Sequence, residues 1–182
     1  MNLLPGELDG LLLIEPRVFG DPRGFFFESW NRDRYRQAGL PAEFVQDNLS
    51  GSTRGILRGL HFQSPNPQGK LVQVLRGEVF DVAVDLRRSS PTFGRWQGFS
   101  LSAANRRQLW VPPGFAHGFA VVSDDALFHY KCSGYYSPAD ELTLLWNDPD
   151  LAIAWPIPDP TLSGKDVQGL RLRDIPEHRL FP

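Results

Sequence analysis

The sequence predicts a mostly β protein of the sandwich or barrel type, and three observations support this prediction. Short segments in which apolar and polar residues alternate recur along the chain. The 17 glycines and 16 prolines are spread over all 182 residues and separate these segments with turn signals. Helical periodicity is rare. Short strands at regular spacing, with turns between them, are typical of a sandwich or barrel.

Six segments in the middle of the chain are predicted to be strands. The most regular, residues 79–86, places four apolar side chains from Phe80 to Leu86 on one face and Asp81 and Asp85 on the other. The six segments are residues 71–75, 79–86, 95–101, 108–111, 118–122 and 126–132.

Two short helices are predicted outside these strands. Residues 31–38 (NRDRYRQA) are followed by Gly39, which is a typical helix stop. The last thirty residues are rich in proline and then polar, and they predict loops with a short helix near residues 163–169. Since no repeat, linker or low-complexity tract divides the chain, residues 1–182 are predicted to form a single domain.

Composition excludes several classes of partner. The formal net charge is -2 and the pI is about 6.1, so no general attraction to nucleic acid or to an anionic membrane is expected. Cys132 is the only cysteine, which suits a reducing compartment. The sequence shows neither an apolar run of membrane-spanning length nor the features of a signal peptide, and a cytoplasmic location is expected.

The four histidines raise the question of a metal site. Residues 112–117 (PPGFAH) fit the pattern P-x-G-x-x-H, which resembles the second motif of the cupin barrels and ends at His117. The first cupin motif should supply H-x-H followed by a glutamate, but the chain has Gln63 two residues after His61. Two distant histidines do not make a metal site. We therefore predict a cupin-type barrel without metal, in which His117 is either a hydrogen-bonded barrel histidine or a catalytic one.

The segment around His61 combines a base with two cations. A histidine titrates near neutral pH and can remove a proton beside a carbonyl group, while an ammonium group such as that of Lys70 can stabilise the resulting enolate. Arg58 adds a second positive charge nearby. On spacing alone, a solvated turn explains these three residues equally well and is the commoner case.

Tyr130 is a candidate proton donor. Strand alternation places Tyr130 on the same face as Phe128, so it lies inside the barrel if that face points inward. The alternative is a core tyrosine whose hydroxyl has a hydrogen-bond partner. His129 falls on the opposite face, and His129 and His178 are expected at the surface.

Residues 21–30 (DPRGFFFESW) mix aromatic side chains with Arg23 and Glu28. An arginine among aromatic residues suits a phosphate group and a flat base. An amphipathic edge strand is the alternative interpretation.

Seven segments, in order, resemble those of the dTDP-4-dehydrorhamnose 3,5-epimerase family. The resemblance implies a double-stranded β-helix, or jelly roll, with a few short helices. It also implies a homodimer that acts on a dTDP-4-keto-6-deoxyhexose and inverts carbons beside the ketone without a metal or organic cofactor. The matching segments are residues 21–30 (DPRGFFFESW), 46–50 (QDNLS), 54–63 (RGILRGLHFQ), 68–94 (QGKLVQVLRGEVFDVAVDLRRSSPTFG), 109–123 (LWVPPGFAHGFAVVS), 130–138 (YKCSGYYSP) and 163–166 (SGKD).

The resemblance also implies catalytic roles. His61 matches the family's base and Asp166 the carboxylate that orients it. Lys70 matches the residue that stabilises the enolate, and Tyr130 matches the proton donor on the other face of the sugar. The residue pattern by itself does not single out Asp166, for which a loop aspartate without a catalytic role is the alternative interpretation.

Other matching positions imply substrate contacts. Arg58 matches a diphosphate contact. Arg23, Phe26 and Glu28 match residues that reach the nucleotide, in the family partly from the second subunit.

A further group matches residues nearer the sugar and the base. Gln46 and Asn48 match polar contacts to the nucleotide, Tyr136 an aromatic side chain near thymine or the sugar, and His117 a residue lining the same pocket. Leu49 stands where the family commonly has histidine, and Gly51 where a basic residue is common. If this segment helps to hold the nucleotide or the dimer, these two departures alter affinity.

Three alternative functions remain open at this point. A relative that inverts only one of the two carbons would use the same residues. A metal-dependent cupin enzyme would need the H-x-H motif that the sequence lacks. A sugar-nucleotide binding module would bind dTDP without catalysing proton exchange.

Overall fold

The computed structural model describes residues 1–41 and 43–182, and antiparallel strands are its main regular structure. Two α-helices and two short 3-10 helices, Leu172–Asp174 and Glu177–Arg179, complete it. The strands are β1 Asn2–Pro5, β2 Leu12–Glu15, β3 Val18–Asp21, β4 Gly24–Phe27, β5 Gln46–Thr53, β6 Leu57–Gln63, β7 Lys70–Arg76, β8 Glu78–Asp85, β9 Trp96–Ser102, β10 Gln108–Val111, β11 Phe115–Val121, β12 Asp125–Cys132 and β13 Glu141–Thr143, and the helices are α1 Arg32–Gln37 and α2 Gly164–Val167.

Two sheets form the barrel. One has six strands in the order β1-β2-β10-β7-β12-β5, and the other has five in the order β13-β6-β11-β8-β9. From β5 onward the chain crosses repeatedly between the sheets, while β3 and β4 form a separate hairpin. This arrangement confirms the predicted mostly β, cupin-like fold.

The main core lies between the two sheets. Phe128 on β12 and Phe119 on β11 come from opposite sheets, and their rings stack with centroids 4.0 Å apart. Val72 and Val74 of β7 join them in the same buried cluster. Burying one side chain of this size contributes about 1.5–3 kcal/mol to the free energy of unfolding, so the paired sheets stabilise each other through this layer.

The outer faces of both sheets are covered as well. Tyr35 of α1 packs on the six-stranded sheet, and its hydroxyl donates to Oε1 of Gln108 at 2.7 Å. Segments near the C-terminus, including Ile175 and Phe181, cover the five-stranded sheet. Both faces of β8 are therefore buried.

The alternation predicted for residues 79–86 is present, but its apolar face is not the barrel interior. The side chains from Phe80 to Leu86 pack beneath the C-terminal segments on the outside of the sheet. Asp81 and Asp85 are on the other face and are fully buried. Covering the sheet on both sides explains how a strand with two acidic residues can lie at the centre of the protein.

The predicted elements differ from the observed ones mainly at their ends. Helix α1 matches residues 31–38 closely, because the side chain of Asn31 accepts from the backbone N–H of Arg34 and caps the helix. Strand β11 begins at Phe115, three residues before the prediction, because Phe115 already pairs with Asp85 of β8. None of the helices in the described part of the chain is long and apolar enough to cross a membrane.

Candidate active site

A cavity of about 560 Å³ lies between the two sheets. Its size falls in the range that is typical of sites for small molecules, roughly 300–1,000 Å³. Apolar side chains such as Phe119 and Phe128 form part of its lining, and polar side chains from β5, β6, β7, β11, β12, β13 and α2 form most of the rest. The cavity can therefore accept a ligand with both apolar and hydrogen-bonding groups.

His61 enters this cavity from β6 in the five-stranded sheet. It pairs directly with His117 of β11, so both side chains project from the same face of the sheet. The two strands approach closely beside this pair, because a Cβ atom on Gly59 would lie 2.6 Å from Cα of Gly118. Gly59 also has a φ of +119°, which favours glycine. Glycine at these two positions thus allows the strand contact that sets the histidines side by side.

The imidazole of His61 is held by the carboxylate of Asp166. Nε2 of His61 and Oδ1 of Asp166 are 2.5 Å apart, and Asp166 is only 2% exposed. Asp166 lies on α2, and the N-cap residue of this helix, Ser163, has a side chain that accepts from the backbone N–H of Asp166. An ionised carboxylate can only accept hydrogen bonds, so Nε2 carries the proton. Nδ1 of His61 is then the nitrogen that can act on a ligand.

Burial and charge set the proton affinities of this pair. The pKa of His61 is lowered, because the effect of burial outweighs the hydrogen bond and charge of Asp166, which act to raise it. Burial acts to raise the pKa of Asp166, but the hydrogen bond and charge of His61 outweigh it, and the pKa of Asp166 is lowered. Near neutral pH, Asp166 is thus an anion beside a largely neutral imidazole, which is the state required of a base.

Lys70 and Tyr130 enter from the six-stranded sheet, on the opposite wall. Burial lowers the pKa of the Lys70 ammonium. In residues 1–41 and 43–182, no carboxylate lies within 4.0 Å of its Nζ atom, so the cation is free to meet an oxyanion. Tyr130 packs beside Phe128, with ring centroids 6.0 Å apart. Burial raises the pKa of Tyr130, which keeps its hydroxyl protonated.

Four further positions expected to contact substrate also line the cavity. Gln46 and Asn48 are linked by a 3.0 Å hydrogen bond from Nε2 to Oδ1, and Oε1 of Gln46 accepts from the backbone N–H of Tyr136 at 2.9 Å. Arg58 donates from Nε to the hydroxyl of Ser52 at 2.9 Å. These side chains form a polar edge to the cavity.

The β3–β4 hairpin is placed differently. Arg23, Phe26 and Glu28 are not among the described residues that line the cavity. Arg23 pairs with Asp21 within the hairpin, and Phe26 is 69% exposed. Phe19 and Phe25 of the same hairpin are also exposed, and a patch of exposed apolar side chains marks a surface that contacts another molecule.

Two cavity residues were not identified from the sequence. Glu141 of β13 accepts from Nζ of Lys165 at 2.8 Å and from the hydroxyl of Tyr136 at 3.0 Å. Burial acts to raise the pKa of Glu141, but these two hydrogen bonds outweigh it, and the pKa is lowered. Lys165 is adjacent to Asp166 in the SGKD segment, and this segment is the one sequence signal for this part of the cavity.

The described residues contain no group of three or more histidine, cysteine, aspartate or glutamate side chains arranged to hold a metal ion. His61 and His117 are neighbours, but each has its Nε2 atom hydrogen-bonded to its own carboxylate, Asp166 and Asp81. The chemistry that this site offers is therefore that of acids, bases and fixed charges.

Comparisons with known proteins agree with this description. The family model for dTDP-4-dehydrorhamnose 3,5-epimerase matches residues 5–174. A protein of Shigella flexneri named dTDP-4-dehydrorhamnose 3,5-epimerase is 55% identical over 96% of this chain and 97% of its own length. A protein of Streptomyces niveus named dTDP-4-dehydrorhamnose 3-epimerase is 43% identical over 100% of this chain and 89% of its own.

Among solved structures, a dTDP-6-deoxy-D-glucose-3,5-epimerase from Legionella pneumophila, in complex with dTDP-4-keto-L-rhamnose, superposes with a TM-score of 0.96. It is 52% identical, and the match covers 99% of this chain and 97% of that one.

Proposed function

Since this chain belongs to the dTDP-4-dehydrorhamnose 3,5-epimerase family, we propose that it epimerises dTDP-4-dehydro-6-deoxy-D-glucose at carbons 3 and 5 to dTDP-4-dehydro-L-rhamnose. Family membership makes the chain an isomerase, an epimerase acting on carbohydrates. The observation that carries the proposal is the placement of His61 and Tyr130 on opposite walls of one cavity. Inversion needs one group to remove a proton and another to deliver one from the other face.

The first step is removal of a proton next to the ketone. Nδ1 of His61 takes this proton, and the C–H electrons move into the carbonyl group to form an enolate. The imidazole becomes positively charged in this step, and the buried carboxylate of Asp166, 2.5 Å away, stabilises that charge. General-base assistance of this kind contributes on the order of 10²–10⁴ in rate.

Lys70 stabilises the enolate oxygen. Its ammonium group lies in the same cavity, and burial strengthens its interaction with a developing negative charge. A proton beside a ketone is too weakly acidic for an imidazole without this help.

Tyr130 completes the inversion. Its hydroxyl, kept protonated by burial, donates a proton to the enolate carbon from the six-stranded sheet, opposite His61. The carbonyl group re-forms, and the carbon has changed configuration. A site with His61 alone would only exchange hydrogen with retention.

Substrate binding is divided between the cavity and a second subunit. Arg58, Gln46 and Asn48 lie where they can hold the diphosphate and the nucleotide, and Tyr136 can pack against thymine or the sugar. Arg23 and Phe26 lie on the exposed hairpin, and Glu28 follows it and pairs with Arg34 of α1. We propose a homodimer in which these three residues reach the partner's nucleotide. The single epimerase domain of this proposal spans residues 1–182.

A second candidate function is epimerisation at one carbon only. It is favoured by one observation, the 43% identity to the Streptomyces niveus protein named a 3-epimerase. The same four catalytic residues would serve that reaction, because the number of carbons inverted depends on how the sugar ring turns in the cavity.

Proton NMR in deuterated water tests both candidates. Chelator-treated protein is mixed with freshly made dTDP-4-dehydro-6-deoxyglucose, and the signals at carbons 3 and 5 are followed. Loss of both signals, with a product of L-lyxo configuration, supports the double epimerase. Loss of one signal supports the single-carbon enzyme. The His61→Ala variant should show no exchange at either carbon, and exchange that persists in it would refute the role of His61.

No exchange by the unaltered chain, with the nucleotide bound, would refute the proposed reaction and favour a binding module. Activity that disappears with chelation and returns with a stoichiometric transition metal would refute a metal-free mechanism.

A further inference from the structure

A second histidine–carboxylate pair lies beside the first. Nε2 of His117 is 2.9 Å from Oδ1 and 3.0 Å from Oδ2 of Asp81. Asp81 is fully buried and His117 is 6% exposed. A buried carboxylate is costly unless it is hydrogen-bonded or paired with a charge. The burial of Asp81 therefore depends on its contacts with His117.

The geometry fixes which nitrogen of His117 carries a proton. An ionised carboxylate is an acceptor only, and both oxygens of Asp81 meet the same Nε2 atom, so Nε2–H is the donor. Among the described residues, the other nitrogen, Nδ1, has no hydrogen-bond partner. The side-chain nitrogen and oxygen atoms that are both buried and without a partner do not include it. Nδ1 is thus accessible, and since His117 lines the cavity, it is accessible from there.

The position of His117 relates it to the reacting part of the sugar. His117 pairs directly with His61 across β11 and β6, so the two rings rise from adjacent points on the same wall. Neighbouring Cβ atoms in such a pair are roughly 4.5–5.5 Å apart, which is comparable with the width of a sugar ring and its attached hydroxyl groups. A ligand whose carbon meets His61 thus places an adjacent ring position against His117.

We propose that Asp81 is a positioning residue that holds the Nε2–H group of His117, so that Nδ1 accepts a hydrogen bond from a sugar hydroxyl group next to the reacting carbons. The inference rests on the proposed function, because it needs the sugar in this cavity. It assigns the second pair to orientation of the sugar ring. The first pair, His61 and Asp166, remains the proton-transfer pair.

The substitution Asp81→Asn separates this role from a structural one. The amide of asparagine can present its NH2 group to Nε2, which would move the proton to Nδ1 and turn a hydrogen-bond acceptor into a donor. We expect a fall in kcat of roughly 10- to 100-fold, the effect of losing one hydrogen bond to a polar group that stays buried. The affinity for dTDP alone, measured by calorimetry, should be unchanged, since the proposal assigns His117 to the sugar and not to the nucleotide.

The double variant tests whether Asp81 acts through His117. In a His117→Ala background, Asp81→Asn should cause no further loss of kcat. A further loss of tenfold or more would overturn the proposal, because Asp81 would then act on another group, such as the nearby Lys70, whose pKa its charge helps to raise.

Asp85→Asn is the matched control for losing a buried carboxylate. Asp85 lies on the same face of β8 but is bonded to Arg87, Ser90 and Thr92. It should lower the melting temperature while leaving the kcat of the folded protein within about twofold. An equal loss of kcat in both variants would overturn a specific role for Asp81.

Nitrogen-15 NMR of the unaltered protein tests the tautomer directly, even if Asp81→Asn fails to fold. The chain has only four histidines, so the signals of His117 are identified by their absence from the His117→Ala spectrum. The proposal predicts a neutral ring protonated on Nε2. A ring protonated on Nδ1, alone or together with Nε2, would overturn it. Deuterium exchange by the unaltered chain is measured separately, so failure of the proposed function is distinguishable from failure of this inference.

Discussion

Replacing Asp166 with asparagine removes the charge that faces His61 but keeps the shape of the side chain. When His61 accepts a proton, a unit positive charge forms beside the Asp166 carboxylate, with Nε2 and Oδ1 2.5 Å apart. For charge centres about 4 Å apart and an effective dielectric constant of about 20, this attraction is worth about 4 kcal/mol. At about 1.4 kcal/mol for each tenfold change in rate, kcat should fall by about 10³-fold.

The assay is the rate of deuterium incorporation at carbons 3 and 5, measured by NMR at saturating substrate. Asp159→Asn is the control, because Asp159 is exposed in the preceding loop and the chemical change is the same. Binding of dTDP should be retained in both variants. If Asp166→Asn keeps kcat within tenfold of the unaltered protein, the carboxylate does not stabilise the imidazolium, and the assignment of His61 as the base loses its main support.

Three further predictions follow from the same site. Tyr130→Phe should slow product formation by roughly 10²–10⁴-fold, while deuterium exchange from the His61 side continues. An equal loss of product formation and of exchange, measured by NMR, would contradict a mechanism in which His61 and Tyr130 act from opposite walls. Lys70→Met should lower kcat by roughly 10²–10³-fold without loss of dTDP binding, and a change in KM alone would contradict enolate stabilisation. In the pH profile of kcat/KM, the acid limb should lie below 6.5, because burial lowers the pKa of His61, whose neutral form is the active one. The basic limb should lie below 10.5, because burial lowers the pKa of Lys70 while that of Tyr130 is raised. An acid limb above 6.5 would contradict the neutral base.

Local pattern was sufficient to predict the fold class and the six consecutive strands β7 to β12, whereas β1 to β6 and β13 were not among the predicted strands. The alternation over residues 79–86 is a pattern of neighbouring residues, so the sequence displays it directly. The same holds for residues 108–111, which match β10 exactly. The start of β11 was placed too late because residues 115–117 become a strand through pairing with β8, a contact between distant segments. Such pairing cannot be read from a window of adjacent residues.

The site was predictable only in part, for a similar reason. The residue pattern made His61, Lys70 and Tyr130 candidates, each with an equally ordinary alternative. Asp166 came from family resemblance alone, since it is 105 positions from His61 and meets it only because α2 docks against the barrel. Asp81 was not predicted to be a site residue, because an acidic residue in an alternating strand is usually exposed. Here the outer face of the sheet is covered by the C-terminal segments.

The two neighbouring histidines suggest why only one of them serves as the base. In each inversion His61 gains a proton and Tyr130 loses one, so both must be restored before the next inversion can begin. The side chain of His61 is 21% exposed, whereas that of His117 is 7% exposed. A group that must exchange its proton with water in every cycle is better placed at the more exposed position, and a group that only orients the sugar is better placed at the buried one. This division predicts that solvent deuterium appears in the product, and that a bulkier neighbour which shields His61 slows turnover more than it slows the first proton removal.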